Sequence, residues 1–452
     1  MDRGEVRRVT LGVRDLALAR RLYSGLLGMT VVGEWTFSRD DVRDEGDVAR
    51  FARGLGLEQP EALAILDLEP PGTTVGSLRL VRVGDGAAPR INEDARAYDH
   101  GYVKNLDFFT DDVRAQHARF VQAGFEFLAP PVEYAVPWGK GAVATEAHMR
   151  TDDGVKLSLA KMQGVPRIAM GRSTRETPFT EVAAATQIVR DFARSETFYS
   201  DVLDLVPAAP TVIEGELIEA LHLPRGTRLR MSFMSGVDAA GGRVGIVAYE
   251  GPGVADAQDL KSRVRAPYRG VLSLTFEVRD VEYATRRALA LGASARLSPS
   301  EEQAFGASTF ASVVVSPDGI PMRFEAAGPP SEGQVAVSES ADGPGGSFDH
   351  ACDLAELPAG GLREHRPKEG PRVALANVNG QVFAFEDRCP HLGAPLSRGE
   401  MRDRILVCPW HGWMIDVPTG QVVGGRGRAV SPCAVRVRDG AVAVAARGKT
   451  SA

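Results

Sequence analysis

Short apolar stretches that each end in an aspartate organise the N-terminal part of the chain. Four times such a stretch, with the composition of a β-strand, leads into a segment with helical spacing. The aspartates at these junctions are Asp15, Asp112, Asp191 and Asp280. An aspartate at a helix start accepts hydrogen bonds from free backbone N–H groups and faces the positive end of the helix dipole. The pattern therefore predicts four strands, each followed by a helix that begins at the aspartate.

The spacing inside the four segments divides them into two kinds. Segments one and three share a Tyr eight residues and a Leu twelve residues after the aspartate, whereas segments two and four share a Gly twelve residues after it and a later Asp-Gly turn. The residues are Tyr23, Leu27, Tyr199 and Leu203 in the first kind, and Gly124, Gly292, Asp153-Gly154 and Asp318-Gly319 in the second. Internal repeats indicate duplicated supersecondary units. We therefore expect four βαβββ modules, formed by duplication of a pair.

A change of composition separates these modules from the rest of the chain. Residues 328–347 are rich in Gly, Ser, Pro and acidic residues without an apolar period, which predicts a flexible linker. Apolar and polar residues then alternate over 373–388 around Asn379-Gly380, which predicts a β-hairpin. The expected class is α+β, with an all-β domain at residues 348–446.

Two short loops in this all-β domain carry one Cys and one His each. Cys389 and His391 lie in the first loop, and Cys408 and His411 lie in the second. In a Rieske [2Fe–2S] centre, one iron takes two thiolates and the other takes two imidazoles. A tetrahedral zinc site also accepts two Cys and two His, but zinc fingers usually keep the Cys pair and the His pair apart. The pattern favours the iron–sulfur cluster.

The surrounding segments, CPHLGAPLSRG at 389–399 and CPWHGWMIDVPTG at 408–420, resemble the Rieske domains of ferredoxins and ring-hydroxylating oxygenases. Respiratory Rieske proteins have two further cysteines that cross-link the loops, and the resemblance places Ala394 and Trp410 there. It places Trp413 where respiratory centres have a Ser that bonds the cluster. Fewer donors stabilise the reduced cluster less. The resemblance thus implies a reduction potential in the lower part of the Rieske range and an electron donor for oxygenase-type chemistry.

The four modules, at about residues 6–327, resemble the vicinal oxygen chelate superfamily, which includes glyoxalase I, bleomycin-resistance proteins and extradiol dioxygenases. The resemblance implies that pairs of modules curl into cups that hold a small molecule, often on a divalent metal. It implies one such domain at 1–164, from modules one and two, and another at 165–327, from modules three and four. The linker at 328–347 and the Rieske domain at 348–446 complete the expected organisation.

The metal ligands of that superfamily are missing here. Its metal-binding members place a His in the first strand and a Glu in the last strand of a module. The matching positions hold Arg8, Asn105, Ala184, Ser273, Ser158 and Arg323. Iron, zinc and manganese prefer imidazole and carboxylate ligands, so we expect no mononuclear metal in the N-terminal domains.

Strand alternation offers other cup-lining candidates, because alternate residues of a strand share a face. Glu146 shares a face with His148 in this way. The alternative for each candidate is a polar side chain that is satisfied within the sheet. The candidates are Asn105, Asp107, His148, Ser273, Thr275 and Glu277.

The composition of the chain argues against some classes of binding partner. The 452-residue chain has a formal net charge of −6. The charges are spread evenly, and the chain has no run of about 18 apolar residues, which argues against nucleic acid and membranes as partners. The four cysteines all lie in 348–446 and do not form a disulfide framework, and the N-terminal segment lacks a signal-peptide core. We expect a cytoplasmic protein.

Two further motifs are missing from the sequence. A D/E-x-x-H-x4-H run, which would indicate the mononuclear iron of Rieske oxygenases, does not occur. The GGRGR at 424–428 lies in a β-rich stretch and is not a dinucleotide fingerprint. A separate flavoprotein reductase is therefore expected to supply electrons.

Three functions follow from these features. In the first, an oxidoreductase passes single electrons from the Rieske domain to an aromatic or polyketide-like molecule, or to oxygen, in a cup. In the second, an extradiol-type dioxygenase has an atypical iron site that the Rieske domain keeps reduced. In the third, a non-enzymatic ferredoxin serves a partner oxygenase and the cups are a ligand-binding or docking module. The missing His/His/Glu set counts against the second, and we favour the first.

Overall fold

The computed structural model describes residues 5–43, 46–136, 141–164, 178–208, 211–236, 241–278, 280–327, 348–368, 370–378, 380–389, 394–402, 404–409, 413–422, 430–438 and 440–445. The chain separates into two compact units, residues 1–330 and 331–452. This division falls inside the predicted linker, and residues 328–347 themselves lie outside the described ranges. In the described part of the chain, no helix combines the length and apolarity needed to cross a membrane.

The first unit contains the four repeated modules. Modules one and two comprise β1 (Val6–Gly12), α1 (Leu16–Arg20) with a π-helical turn (Arg21–Leu26), β2 (Thr30–Phe37), α2 (Arg39–Arg43), α3 (Asp47–Gly54), β3 (Leu63–Glu69), β4 (Ser77–Val83), β5 (Tyr102–Phe109), α4 (Val113–Gln122), β6 (Val132–Ala135), β7 (Val143–Arg150) and β8 (Lys156–Gln163). Modules three and four comprise β9 (Ala184–Ile188), α5 (Phe192–Leu203), β10 (Val206–Pro207), β11 (Thr211–Ile213), α6 (Glu216–Ala220), β12 (Arg228–Ser235), β13 (Arg243–Glu250), two 3-10 turns (Pro252–Val254 and Lys261–Arg263), β14 (Gly270–Glu277), α7 (Val281–Ala290), β15 (Ser294–Ala304), β16 (Ala307–Val315) and β17 (Pro321–Ala327).

Each of the four predicted helices begins after its aspartate. The Asp15 carboxylate accepts hydrogen bonds from the backbone N–H groups of Ala17 and Leu18. Asp112, Asp191 and Asp280 each accept one from the residue three positions on. These contacts satisfy donors that have no partner inside the helix. They confirm the predicted helix starts.

Two mixed sheets combine the modules. The first has the order β15-β16-β17-β14-β1-β4-β3-β2 and joins modules one and four. The second has the order β10-β12-β13-β9-β5-β8-β7-β6, with β11 beside β12, and joins modules two and three. The expected combination of modules one with two and three with four is therefore wrong, and the expected domains at 1–164 and 165–327 would each take half of both sheets.

In both sheets, the two modules meet through the first strand of each module. Strand β1 pairs antiparallel with β14, and β5 pairs antiparallel with β9. A repeat in the sequence identifies equivalent modules, but any two first strands present the same kind of edge to each other. The choice of partner depends on the tertiary path of the chain, which the repeat does not encode.

The second unit is all-β in its described residues, apart from two 3-10 turns (Leu354–Glu356 and Leu396–Arg398). Its strands are β18 (Phe348–Asp353), β19 (Leu362–His365), β20 (Val373–Val378), β21 (Gln381–Glu386), β22 (Glu400–Arg402), β23 (Ile405–Val407), β24 (Met414–Asp416), β25 (Gln421–Val422), β26 (Val435–Arg438) and β27 (Ala441–Ala445). They form sheets β18-β27-β26, β19-β20-β21 and β22-β23-β24-β25. The predicted hairpin is confirmed by β20 and β21, although Asn379 at its turn lies outside the described residues. The α+β class is confirmed.

Candidate functional site

Two buried cysteines lie at the entrances of the predicted cluster loops. Cys389 follows β21 and Cys408 follows β23, and both side chains belong to the apolar core of this unit. The backbone N–H of Cys389 donates to the carbonyl of Ala394 at 2.8 Å, and that of Cys408 donates to the carbonyl of Trp413 at 2.7 Å. These hydrogen bonds span the two loops.

A buried carboxylate supports the first loop. Asp387, two residues before Cys389, accepts hydrogen bonds from the backbone N–H of Ser397 at 2.7 Å and from its hydroxyl at 2.8 Å. Two buried thiols at loops held in this way fit the thiolate-bound iron of a [2Fe–2S] cluster. His391 and His411, the predicted ligands of the second iron, lie outside the described residues.

The strands of the sheet of modules two and three, together with α6, line a cavity of about 450 Å³. Module three supplies most of its apolar wall, from α6, β12 and β13. The wall residues from this module include Leu217, Leu221, Leu229, Met231, Phe233 and Val247. Module two supplies most of the polar lining, from β5, β7 and β8. A small molecule in this space would meet an apolar surface on one side and hydrogen-bonding groups on the other.

The polar lining is built around the buried carboxyl of Asp107. Its two oxygens accept hydrogen bonds from the Asn105 amide and the Thr186 hydroxyl, both at 2.8 Å. Burial raises the pKa of Asp107 to about 6, and the nearby charge of Glu146 adds to this effect, whereas the two hydrogen bonds oppose it. The cavity therefore holds a carboxyl that changes its protonation close to neutral pH.

A second pair of titratable groups lies on β7. A ring nitrogen of His148, Nε2, is 3.1 Å from Glu146 Oε2. The other ring nitrogen, Nδ1, is buried and has no hydrogen-bond partner among the described residues. Tyr134 lies on the neighbouring strand β6, and burial, followed by the charge of Glu146, raises the pKa of its hydroxyl well above the usual value. A histidine paired with a carboxylate is a group that takes part in general acid–base chemistry.

The sequence-predicted candidates separate into two groups. Asn105, Asp107 and His148 line the cavity together. The module-four candidates do not line it: Ser273 and Thr275 are buried in the other sheet, and Glu277 is exposed and bonds Arg7 at 2.8 Å.

Glu146, which strand alternation places on the same face as His148, also lines the cavity. Tyr134, Arg243 and Lys104 line it as well, and no pattern in the sequence predicted them. Arg243 belongs to module three, whose partner module the repeat could not identify.

The metal positions of the superfamily face the cavity, but they hold unsuitable side chains. Asn105, Ser158 and Ala184 line it, and an alanine supplies no donor atom. Among the residues that the structure describes, no three His, Cys, Asp or Glu side chains lie close enough to hold a metal ion. This set does not fit a His/His/Glu iron site.

Two of the three equivalent positions in the other sheet, Arg8 and Arg323, take part in ion pairs. Arg8 lies 4.0 Å from Asp67, and Arg323 donates a hydrogen bond to Glu325 at 2.6 Å. The third, Ser273, is buried and supplies neither imidazole nor carboxylate. Arg323 also pairs with Glu302. Arginines that are already paired with acids do not fit a metal site either. The expectation of no mononuclear metal stays a prediction.

Comparisons with known proteins find two families in the chain. The model of the Rieske [2Fe-2S] domain matches residues 347–435, and that of the Glyoxalase/Bleomycin resistance protein/Dioxygenase superfamily matches residues 6–159. The 3-phenylpropionate/cinnamic acid dioxygenase ferredoxin subunit of Photorhabdus laumondii is 37% identical over 73 residues, which are 16% of this chain and 68% of the relative. Apoptosis-inducing factor 3 of Mus musculus is 37% identical over 71 residues, which are 16% of this chain, and the chain spans 12% of that relative's length.

Solved structures show similarity to each part of the chain. A glyoxalase I mutant from Zea mays is 14% identical, with a TM-score of 0.47, and the match covers 71% of this chain and 91% of that one. The complex of reduced oxygenase and oxidized ferredoxin in carbazole 1,9a-dioxygenase contains a chain that is 28% identical. That match has a TM-score of 0.22 and covers 23% of this chain and 97% of the other.

Proposed function

The chain belongs to the Rieske [2Fe–2S] family through its C-terminal unit, and from this premise we propose that it is an oxygenase-related oxidoreductase. In this proposal the Rieske unit supplies single electrons for a reaction of a small molecule held in the cavity of modules two and three. A separate flavoprotein reductase would provide the electrons. The observation that carries the proposal is the occurrence, in one chain, of a Rieske domain and a cavity whose polar lining includes the buried carboxyl of Asp107.

The residues of the C-terminal unit fit the electron-carrying role. Cys389 and Cys408 would hold one iron, and His391 and His411 would hold the other. A bound [2Fe–2S] cluster takes up and releases one electron at a time. The burial of the two cysteines in an apolar core limits solvent access to this group, which is one of the factors that set its potential.

The cavity supports a small, mainly apolar ligand with a polar group at one side. Its volume of about 450 Å³ lies within the range of small-molecule sites. The apolar wall fits an aromatic or polyketide-like ring. Asp107 and the His148–Glu146 pair would then hydrogen-bond a hydroxyl or carbonyl of the ligand and exchange a proton with it. Their burial keeps these contacts away from bulk water, where they would be weaker.

A non-enzymatic ferredoxin is the second candidate, and one observation favours it. The chain covers 68% of the ferredoxin subunit of a dioxygenase from Photorhabdus laumondii. If this chain acts in the same way, its electrons go to a partner oxygenase and the cavity is a binding or docking module. The extradiol alternative has less support, because the side chains at its metal positions do not fit.

The test uses anaerobically purified full-length protein whose iron, acid-labile sulfide and EPR spectrum have been measured. The Rieske unit is reduced, excess reductant is removed, and its reoxidation is followed with and without oxygen while phenols and catechols are added. We expect two irons per chain and reoxidation that one class of ligand accelerates. Reoxidation only on addition of a partner oxygenase would support the ferredoxin, and a third iron without extra sulfide would support the dioxygenase.

Two variants connect this reaction to the cavity. Ala184→Phe places a large ring where an alanine now lines the space and should abolish the ligand effect. Glu277→Gln alters an exposed residue outside the cavity and should leave it unchanged. If Ala184→Phe keeps the full ligand effect, the reaction does not occur in this cavity.

A further inference from the structure

A β-bulge in β5 brings a lysine into the cavity. The pairing of β5 with β9 shifts register between Val103 and Asn105. As a result, the consecutive residues Lys104 and Asn105 both line the cavity, whereas strict alternation would place them on opposite faces. Leu106 returns to the apolar core. Bulges occur often beside functional sites because they redirect a side chain.

The amine of Lys104 is enclosed. The residue is only 3% exposed, and its Nζ donates to the carbonyl of Ala97 at 2.9 Å. Nζ also contacts the hydroxyl of Tyr249, which itself lines the cavity. Among the described residues, no carboxylate forms an ion pair with Lys104. An ammonium buried without a counter-ion is costly, and the amine relieves this cost by losing its proton.

The charges around Lys104 act in the same direction. Burial, and after it the charge of Lys156, lowers the pKa of Lys104 well below its usual value. Lys156 itself has its pKa lowered to about 8 by burial and by Arg150. The ring of Tyr249, whose centroid is 4.5 Å from Nζ, favours the charged form, but one cation–π contact is weaker than full burial of an ammonium. These surroundings favour the neutral amine, which is the form of a lysine that can act as a nucleophile.

We propose that Lys104 is a nucleophile that condenses with the carbonyl carbon of an aldehyde or ketone bound in the cavity. The inference rests on the proposed binding of a small molecule in this cavity and names its chemical class. The lone pair on Nζ forms a C–N bond, the C–O bond breaks, and the carbonyl oxygen leaves as water with both amine protons. The product is an imine, which needs no oxidant or reductant.

Neighbouring residues are placed to assist this step. The Tyr249 hydroxyl lies beside Nζ and can pass a proton to the departing oxygen. Lys156 keeps the amine neutral, as a second cationic group does at other lysine nucleophiles. The apolar wall would hold the rest of the carbonyl compound and exclude water, which would otherwise hydrolyse the imine.

The experiment traps the imine on the full-length protein. The protein is incubated with 4-hydroxybenzaldehyde and sodium cyanoborohydride, which converts an imine into a stable secondary amine, and the labelled peptide is identified by mass spectrometry. The adduct adds the mass of the aldehyde, less one water, plus two hydrogens. The variants are Lys104→Met and Lys104→Arg, and the control is Lys261→Met at an exposed lysine.

We expect a single major adduct on Lys104 in the wild type and in Lys261→Met, and at least a tenfold loss of labelling in both Lys104 variants. Thermal unfolding and the EPR spectrum show which variants keep their fold, and the peptide map of the wild type needs no variant. Labelling spread over surface lysines, or undiminished in a folded Lys104 variant, would overturn the inference. Reoxidation of the Rieske unit is measured in the same preparations. If a carbonyl compound accelerates reoxidation but forms no adduct at Lys104, the inference about Lys104 is overturned and the proposed function stands. An adduct at Lys104 without ligand-dependent reoxidation would support the inference about Lys104 and contradict the proposed function.

Discussion

Asp107 is a carboxyl whose surroundings oppose its ionisation. Its pKa of about 6 lies above the ordinary value of 3.8, so the folded protein retains a proton that the unfolded chain loses between about pH 4 and pH 6. The stability that this proton contributes is complete below the lower value and is lost as the pH rises through the higher one. Above pH 6 the buried carboxylate weakens the fold.

The substitution Asp107→Asn removes this effect, because the amide is neutral at every pH. The difference between 3.8 and about 6 corresponds to roughly 3 kcal/mol as an upper limit. We expect the variant to gain up to about that much free energy of unfolding at pH 8, relative to its gain at pH 4. Urea denaturation followed by circular dichroism at the two pH values measures this difference.

Asp40→Asn is the matched control, since the Asp40 side chain is 83% exposed. The change that this substitution makes in the free energy of unfolding, relative to the wild type, should differ little between the two pH values. An Asp107→Asn variant that gains no more at pH 8 than at pH 4 would contradict the assigned cause of the raised pKa.

The cysteines of the second unit provide a test at single residues. Cys389→Ser or Cys408→Ser removes one thiolate, and we expect loss of most iron and sulfide together with the Rieske EPR signal. Cys352→Ala is the control, because Cys352 is buried in a separate apolar cluster. It should cost about 1 kcal/mol of stability and keep the cluster. Retention of two irons in Cys389→Ser would refute the ligand assignment.

The two sheets of the first unit differ in the side chains that they bury. The sheet of modules two and three lines a cavity, whereas the sheet of modules one and four carries buried arginines paired with acids, among them Arg79 with Asp67, and Arg323 with Glu302 and Glu325. Burial alone would raise the pKa of Glu325, but Arg323 and Arg8 outweigh it and lower the value to about 2. We infer that these ion pairs give the sheet of modules one and four a role in stability and not in ligand binding.

The substitution Arg323→Leu should therefore be strongly destabilising. It removes the guanidinium that Glu302 and Glu325 share, and loss of one partner of a buried ion pair costs about 3–5 kcal/mol. The stability contributed by Glu325 in the wild type is present above its ordinary pKa of 4.5 and is lost as the pH falls towards 2. The effect of the substitution should consequently be larger at pH 7 than at pH 3, as measured by urea denaturation.

The control removes an ion pair from the surface. Arg20 and Glu34 are 47% and 58% exposed, so Arg20→Leu should change the free energy of unfolding by less than about 1 kcal/mol at either pH. Equal effects of the two substitutions would show that the buried network does not support the fold.

The features that could be predicted from the sequence depend on interactions between residues that are close together in the chain. The helix starts could be predicted because Asp15 and its three counterparts act on N–H groups only two or three residues away. The Rieske domain could be predicted because its cluster takes two thiolates and two imidazoles, which limits the ligand types that the sequence must supply. The combination of modules could not, since β1 and β5 present equivalent edges to β14 and β9. Lys104 was missed because a single bulge reverses the alternation on which the cup-lining candidates were based.

For the whole molecule, the proposed function depends on the covalent connection between the two units. Through a flexible linker, a tethered donor acts at an effective concentration in the millimolar range. Residues 328–347 are the predicted linker, and a site for a sequence-specific protease inserted there would allow the connection to be cut in the folded protein.

After cleavage, electron transfer from the Rieske unit to a ligand in the cavity becomes a bimolecular reaction. At about 10 µM protein we expect the rate to fall on the order of a hundredfold and to become proportional to protein concentration. Ligand-dependent reoxidation, measured at several concentrations before and after cleavage, tests this expectation. The uncleaved insertion variant is the control and should retain a rate that is independent of concentration. A rate that is unchanged and concentration-independent after cleavage would contradict a role of the covalent tether in electron transfer.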